Sequence, residues 1–223
     1  MTIESDQFTP TPNTKVRVAA RGSYDRAVAY RILDDGFVAH VGFASDDQPF
    51  VIPMVYGRDG DRLLLHGSVA TRIMRSLDAG APVCVTVTHI DGLVLAKSHF
   101  HHSVNYRSVV VLGTARRLRD DEARHAFAVI VDHAAPGRAA ETRPTSDLEY
   151  RQTMVLEVPV NEASVKVRDA PPIDDPDDLA SPQWAATWSG VLPLSVVASA
   201  PETDDNTPAG TEVPGSIRPW RRP

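Results

Sequence analysis

The stretch HGSVATRIMRSL, residues 66–77, ends an apolar run at His66-Gly67-Ser68 and soon presents two arginines, Arg72 and Arg75. A strand-to-helix junction of this composition suits an anionic ligand. The first N–H groups of a helix lack intrahelical partners, and the helix dipole leaves partial positive charge there. Ser68 and Thr71 add hydroxyl donors, Gly67 lets backbone come close, and Arg72 offers a two-pronged fork to phosphate oxygens. Spacing alone leaves a second reading open, in which Ser68 caps the helix and both arginines are solvated. KSHFHHSVNYRS, residues 97–108, crowds His99, His101, His102, Asn105 and Arg107 into a loop that enters a strand. Imidazoles suit zinc, copper or iron. No carboxylate or cysteine stands near them in sequence, so no metal site is expected, and backbone-bonded histidines or contacts at a subunit boundary are the stronger readings. Lys166 and Arg168, two apart on one strand face, read as a solvated edge. Trp188, close to Gly190 and Pro193, reads either as core packing or as a lid on an aromatic ligand.

These residues need a scaffold, and 223 residues of ordinary globular composition can bury one sizeable core. The net charge of -6 argues against a general nucleic-acid binder. Lone Cys84 sits in the alternating run PVCVTVTHI and reads as a small buried hydrophobe. The N-terminus lacks a basic flank before an apolar block, and no segment reaches membrane-spanning length. A cytoplasmic protein that engages neither membrane nor nucleic acid is the expectation.

Residues 1–20 are polar with two prolines and are expected as a flexible arm. SYDRAVAYRILDDG then predicts an amphipathic helix, capped by Ser23 and stopped by Gly36. FVAHVGFA and PFVIPMVYG predict strands broken at Ser45-Asp46-Asp47, and Pro53 places the second of them at an edge or a bulge. Asp59-Gly60 is a hairpin signal leading into RLLLHG. A short helix ends at Gly80 and Pro82, and PVCVTVTHI with LVLAK predicts a hairpin about Asp91-Gly92. NYRSVVVLGTARRL predicts one long strand, DDEARHAFAVIVDHAAPG a helix, and TMVLEVPV with ASVKVRD the last strands. Some seven strands in hairpin order with three helices read as an antiparallel barrel with helices outside, in a domain spanning 21–198. Residues 199–223 have little apolar content and are expected to be disordered.

Taken together, YDRAVAYRILDDGFVAHVGF, QPFVIPMVYGRDGDRLLLHGS, VCVTVTHIDGLVLAKSHFHHSVNYRSVVVLGTA and WSGVLPL resemble the pyridoxamine 5'-phosphate oxidase-like, flavin-binding split-barrel proteins. The similarity lies in the branch that includes nitroimidazole-resistance relatives and covers about residues 20 to 195. It implies a mainly β, antiparallel split β-barrel homodimer with FMN at the subunit interface. By that resemblance His66, Ser68, Thr71 and Arg72 hold the phosphate, and Val51, Ile52, Pro53 and Met54 lie along the flavin ring. The neighbouring subunit contributes Asn105, Arg107 and Ser108, and His66 is the leading catalytic side chain. Two departures matter. The vitamin B6 oxidase carries an Arg-Lys pair where this chain has Arg72-Ile73, and its substrate motif is replaced by RPWRRP. Oxidation of pyridoxamine phosphate is therefore not expected. The resemblance implies an FMN-dependent oxidoreductase acting on a small-molecule acceptor, with FAD as the alternative cofactor. Two further alternatives stay open: a flavin-binding or storage protein without turnover, and the same barrel holding a deazaflavin or haem.

Overall fold

The computed structural model describes residues 6–217. The first strand is β1 (Gly22–Ser23), followed by helix α1 (Arg26–Asp35), β2 (Val38–Ser45), β3 (Gln48–Asp59) and β4 (Arg62–Ser68). Then come α2 (Arg72–Asp78), β5 (Pro82–Leu95), β6 (Ser103–Thr114) and β7 (Arg116–Leu118). The chain continues through α3 (Asp120–Ala134), α4 (Asp147–Gln152), β8 (Thr153–Pro159), β9 (Glu162–Arg168), α5 (Pro176–Ala180) and β10 (Gly190–Pro193). No helix among the described residues is long and apolar enough to cross a membrane.

The strands form one antiparallel sheet in the order β1-β9-β6-β5-β2-β3-β4-β8-β7, with β10 on β5. β8 and β9 follow each other in sequence yet pair with different strands, β8 with β4 and β7, β9 with β6 and β1. The sheet therefore curls without closing, which makes it a split barrel.

Two tight turns set the register of its centre. Asp46 and Asp47 have φ of 52° and 61°, the left-handed pair that a two-residue hairpin needs, and Gly60 at φ 57° serves the next hairpin. Pro53 pairs with His40 of β2, while β4 joins β3 only from Tyr56 onward. It thus stands at a free edge, as a residue without an N–H must.

The leucine run of β4 has a two-faced job. Leu63 and Leu65 enter the barrel core, whereas Leu64 joins a second cluster with Leu118, Ala126 and Ile130 beneath α3. Both faces of β4 are buried, so its apolar run is continuous and not alternating. Glu157 on the neighbouring strand accepts from Arg62 (2.8 Å) and Arg116 (2.6 Å), tying β4, β8 and β7 together.

Several expectations are corrected. The cap of α1 is Asp25, whose carboxylate accepts from Val28 N at 3.0 Å; Ser23 belongs to β1. Asp91-Gly92 is no hairpin turn. β5 runs unbroken past it, with a register shift between Ile90 and Gly92, and both halves pair with β6. Gly92 is absent from the positive-φ glycines that such a turn would need, so the extra residue is absorbed as a bulge. The long strand after Asn105 divides at Ala115, β6 staying with β5 and β9 while β7 crosses to β8. Arg168 is buried, not solvated: it donates to Asn105 Oδ1 and to the carbonyls of Ala170 and Pro171. Cys84 is half-buried and lies 3.8 Å from the Thr86 hydroxyl. Trp188 is 64% exposed and packs over Gly190.

In place of a loose arm, residues 6–20 lie along the barrel. Phe8 enters the core and its N–H donates to Tyr24 O at 2.7 Å. From 199 to 217 there is no helix or strand, and residues 218–223 of the expected tail lie outside the described residues.

Candidate functional site

Strand parity places the residues around the opening motif. Leu64, His66 and Ser68 share one face of β4, directed at α3, while Leu63, Leu65 and Gly67 share the other. His66 accordingly meets Phe127 of α3 edge-on, ring centroids 6.1 Å apart. Its Nδ1 is buried without a hydrogen-bond partner, and burial lowers its pKa below the ordinary histidine value. The imidazole is therefore neutral at physiological pH.

This burial carries a pH signature. An unfolded imidazole titrates near ~6.5, and the folded one titrates lower because desolvation disfavours its charged form. Between those two values the unfolded chain binds more protons, so stability falls as the pH drops through that window. His66→Gln is expected to flatten this part of a thermal-unfolding pH series. An unchanged slope would assign the effect to other groups.

Gly67 faces inward because nothing larger fits. A Cβ there would stand 2.9 Å from Met74 Cγ and 3.1 Å from its Sδ, and Met74 is fully buried. Gly67→Ala is expected to cost about 1–3 kcal/mol by overpacking, read as a lower midpoint in urea.

Beyond Ser68 the chain makes a tight turn. Thr71 N and Thr71 Oγ1 donate to Ser68 O at 3.0 and 2.9 Å, and Ser68 Oγ accepts from Ala70 N at 3.3 Å. Helix α2 starts at Arg72 with no side-chain cap. The Ser68 hydroxyl therefore does not cap that helix. Pairing of β4 with β8 sets Ser68 opposite Thr153. The result is an open cleft of about 650 Å³ between His66–Val69 and Arg151–Thr153. Arg116, Arg124 and Arg143 are held by carboxylates. Arg72 and Arg75 are exposed and enter no ion pair among the described residues, and the Arg72 guanidinium lies 4.7 Å from the Phe50 ring centre.

The expected ring strand is split by its own alternation. Val51 and Pro53 are exposed, whereas Ile52 and Met54 pack against the core. Register extends the outward surface across the sheet: Val51 is level with Gly42 and Cys84, and Pro53 with His40 and Thr86.

The third group stands apart. β6 lies three strands from β3, roughly 14 Å across the sheet. Asn105 is buried, its amide oxygen taken by Arg168 and Ala170 N. Arg107 is clasped by Asp91 and Asp35, and Ser108 is buried. One chain does not bring this group to the cleft. Of the clustered histidines, His101 meets Asp175 at 3.1 Å and His102 meets Ser98 O at 2.8 Å.

Two residues escaped the sequence reading. Arg151 forms the far wall of the cleft, brought there by strand pairing that leaves no local trace. His40 is exposed beside Pro53, and the alternation of Val38, His40 and Gly42 with Ala39, Val41 and Phe43 was its available signal.

An open antiparallel barrel, with a cleft at a strand-to-helix junction and an uncovered apolar strip beside it, defines a class: the split-barrel proteins. The sequence pattern of the pyridoxamine 5'-phosphate oxidase family matches residues 25–167, and the chain belongs to that family. Among solved structures it is similar to the FAD and haem binding protein from Mycobacterium smegmatis. That match has 36% identity over 89% of this chain and 96% of that one, with a TM-score of 0.84. It is also similar to the flavocytochrome Anf3 from Azotobacter vinelandii, at 35% identity over 96% and 99% of the two chains, with a TM-score of 0.87. A candidate 5-nitroimidazole antibiotic resistance protein from Bacteroides thetaiotaomicron is 26% identical over 66% and 86%, with a TM-score of 0.57. No curated protein matches the chain.

Proposed function

We propose that this chain is a flavin-dependent oxidoreductase, a cytoplasmic homodimer acting on a small-molecule acceptor. The phosphate end of the flavin lies in the cleft at Ser68, Thr71 and Arg72, and its ring lies against Val51 and Pro53. The observation that carries the reading is an open cleft with cations left over for an anion: Arg151 in its wall and Arg72, three residues beyond Val69, enter no ion pair among the described residues, whereas Arg124 and Arg143 are held by carboxylates. The exposed apolar strip next to it supplies a flat surface for a ring. The flavin would supply the electron chemistry; the protein binds it, orients it and shields it from water. A second copy would bring the start of its β6 to the cleft, and exposed Val38, Val51 and Val55 are in keeping with such a contact. The M. smegmatis protein's name supports FAD over FMN.

A second cofactor is favoured by a specific observation. Both solved structures at 35–36% identity carry haem or cytochrome in their names. Haem iron needs only one or two axial side chains from the protein. The buried, unpartnered and neutral Nδ1 of His66 fits that requirement. We read the chain as a flavin protein that also takes haem.

The test is the visible spectrum of the purified full-length chain, with its cofactors extracted and identified by mass. A flavin band is expected, together with a Soret band from haem. A colourless chain that takes up neither FMN nor FAD overturns the flavin reading, and flavin without a Soret band removes haem alone. Reduction by NADH or NADPH followed by transfer to an acceptor separates an enzyme from a flavin store.

A further inference from the structure

On the outer side of the barrel, a hollow of about 190 Å³ lies between α3 and the chain that returns from it to α4. Phe127, Ala128 and Val131 supply the helix side, at the three- and four-residue spacing that shares one face. Ala139 and Pro144 supply the other side. The returning chain holds its shape by its own bonds. Ala139 N donates to Asp132 Oδ1 at 2.7 Å, which ties the short helical turn Arg138–Glu141 to α3. Ser146 and Glu149 close a reciprocal cap at the start of α4. The hollow is therefore formed before anything enters it, as small-molecule sites usually are.

Charge at its mouth is cancelled. Arg124 Nη2 donates to Asp147 at 2.7 Å, and Arg143 donates to both oxygens of Glu149 at 2.7 and 2.9 Å. Neither guanidinium is left over for an anion, and no carboxylate is among the described lining residues to receive a cation. Thr142 gives its hydroxyl to Arg138 O at 3.2 Å. The Thr145 hydroxyl enters no hydrogen bond among the described residues, and it can donate or accept.

We infer that this hollow is a ligand site for an uncharged single-ring aromatic with one hydroxyl, the phenol class. An apolar protein cavity of about 150 Å³ takes benzene, so the volume here suits one ring with one small substituent. The ring packs on Phe127, Val131 and Pro144, and its hydroxyl meets Thr145. A carboxylate or an ammonium in the same place would lose its water without gaining an unpaired partner. Phe127 also meets the His66 ring edge-on, so the site is separate from the cleft yet one side chain away from His66.

Titration calorimetry on the full chain, as isolated with its cofactors, tests this with phenol, benzoate and benzylamine, one ring in three charge states. Phenol is expected to saturate at one per chain, with both charged rings about tenfold weaker or more. Ala128→Arg, at an exposed position of α3, fills the hollow; it is expected to weaken phenol about tenfold or more and to leave thermal unfolding unchanged. Thr145→Val keeps the shape and removes the hydroxyl, for an expected loss of about three- to tenfold. It keeps the test open should Ala128→Arg disturb α3. Charged rings that bind as well as phenol, or a phenol affinity indifferent to either substitution, would overturn the assignment. Neither Ala128 nor Thr145 lines the cleft at His66, so such a failure would leave the flavin reading standing.

Discussion

Arg72→Ala is expected to weaken flavin-nucleotide binding about ten- to a hundred-fold, the loss of roughly 1.5–3 kcal/mol from a charge-assisted hydrogen bond. The guanidinium is uncommitted in the free chain: it rests over Phe50 and meets no carboxylate. Its removal therefore costs the fold little, and the unfolding midpoint without cofactor should hold. Arg72→Lys keeps the charge but loses the planar fork, so it should fall between the two. Calorimetric titration with FMN and with FAD reads both effects. An affinity unmoved by Arg72→Ala would take this residue out of the site and leave Arg75 or Arg151 as the cation that matters.

Tyr56→Ala is expected to be the most damaging single truncation in the barrel. Tyr56 is fully buried, and its hydroxyl donates to Leu33 O at 2.5 Å. Leu33 is in the last turn of α1, where a carbonyl has no partner within the helix. The phenol is thus an inward cap on that helix end. Tyr56→Phe leaves the carbonyl unsatisfied in a dry place and should cost about 1–3 kcal/mol. Tyr56→Ala adds a cavity, for a total of roughly 3–5 kcal/mol. That is a large share of the ~5–15 kcal/mol of a typical domain. Urea unfolding would show a lower midpoint with an unchanged slope for the Phe variant. No change at all would mean that the end of α1 is satisfied by something other than Tyr56.

What the sequence made legible was whatever local chemistry decides. Asp46-Asp47 and Gly60 force their hairpins through left-handed backbone, and Pro53 declares an edge. Gly67, Ser68 and Arg72 mark the junction where β4 ends and α2 begins. Asp91-Gly92 misled for the same reason that the others informed. A dipeptide able to turn a chain back can equally swell a continuous strand, and only the distant partner β6 decides which. Phe8 was hidden in a polar arm because one buried aromatic outweighs local composition. Arg168 read as solvated since its partners Asn105, Ala170 and Pro171 gather around it only in the fold. The far wall of the cleft is the extreme case, assembled by pairing Ser68 with Thr153.

The long partnership of β5 and β6 bears on how the chain reaches this state. They pair from Pro82↔Thr114 to Val94↔Ser103 around the short connection 96–102, so their contacts close little chain. The pairing of Arg62 with Pro159 and of Gly22 with Lys166 instead spans most of the domain. Loop-closure entropy rises with the chain enclosed, and non-local sheets assemble slowly. The order of assembly follows: a hairpin of residues 82–114 first, with both outer flanks docking afterwards. Pulsed hydrogen exchange during refolding should protect Val85 and Val111 before Leu64 and Leu156.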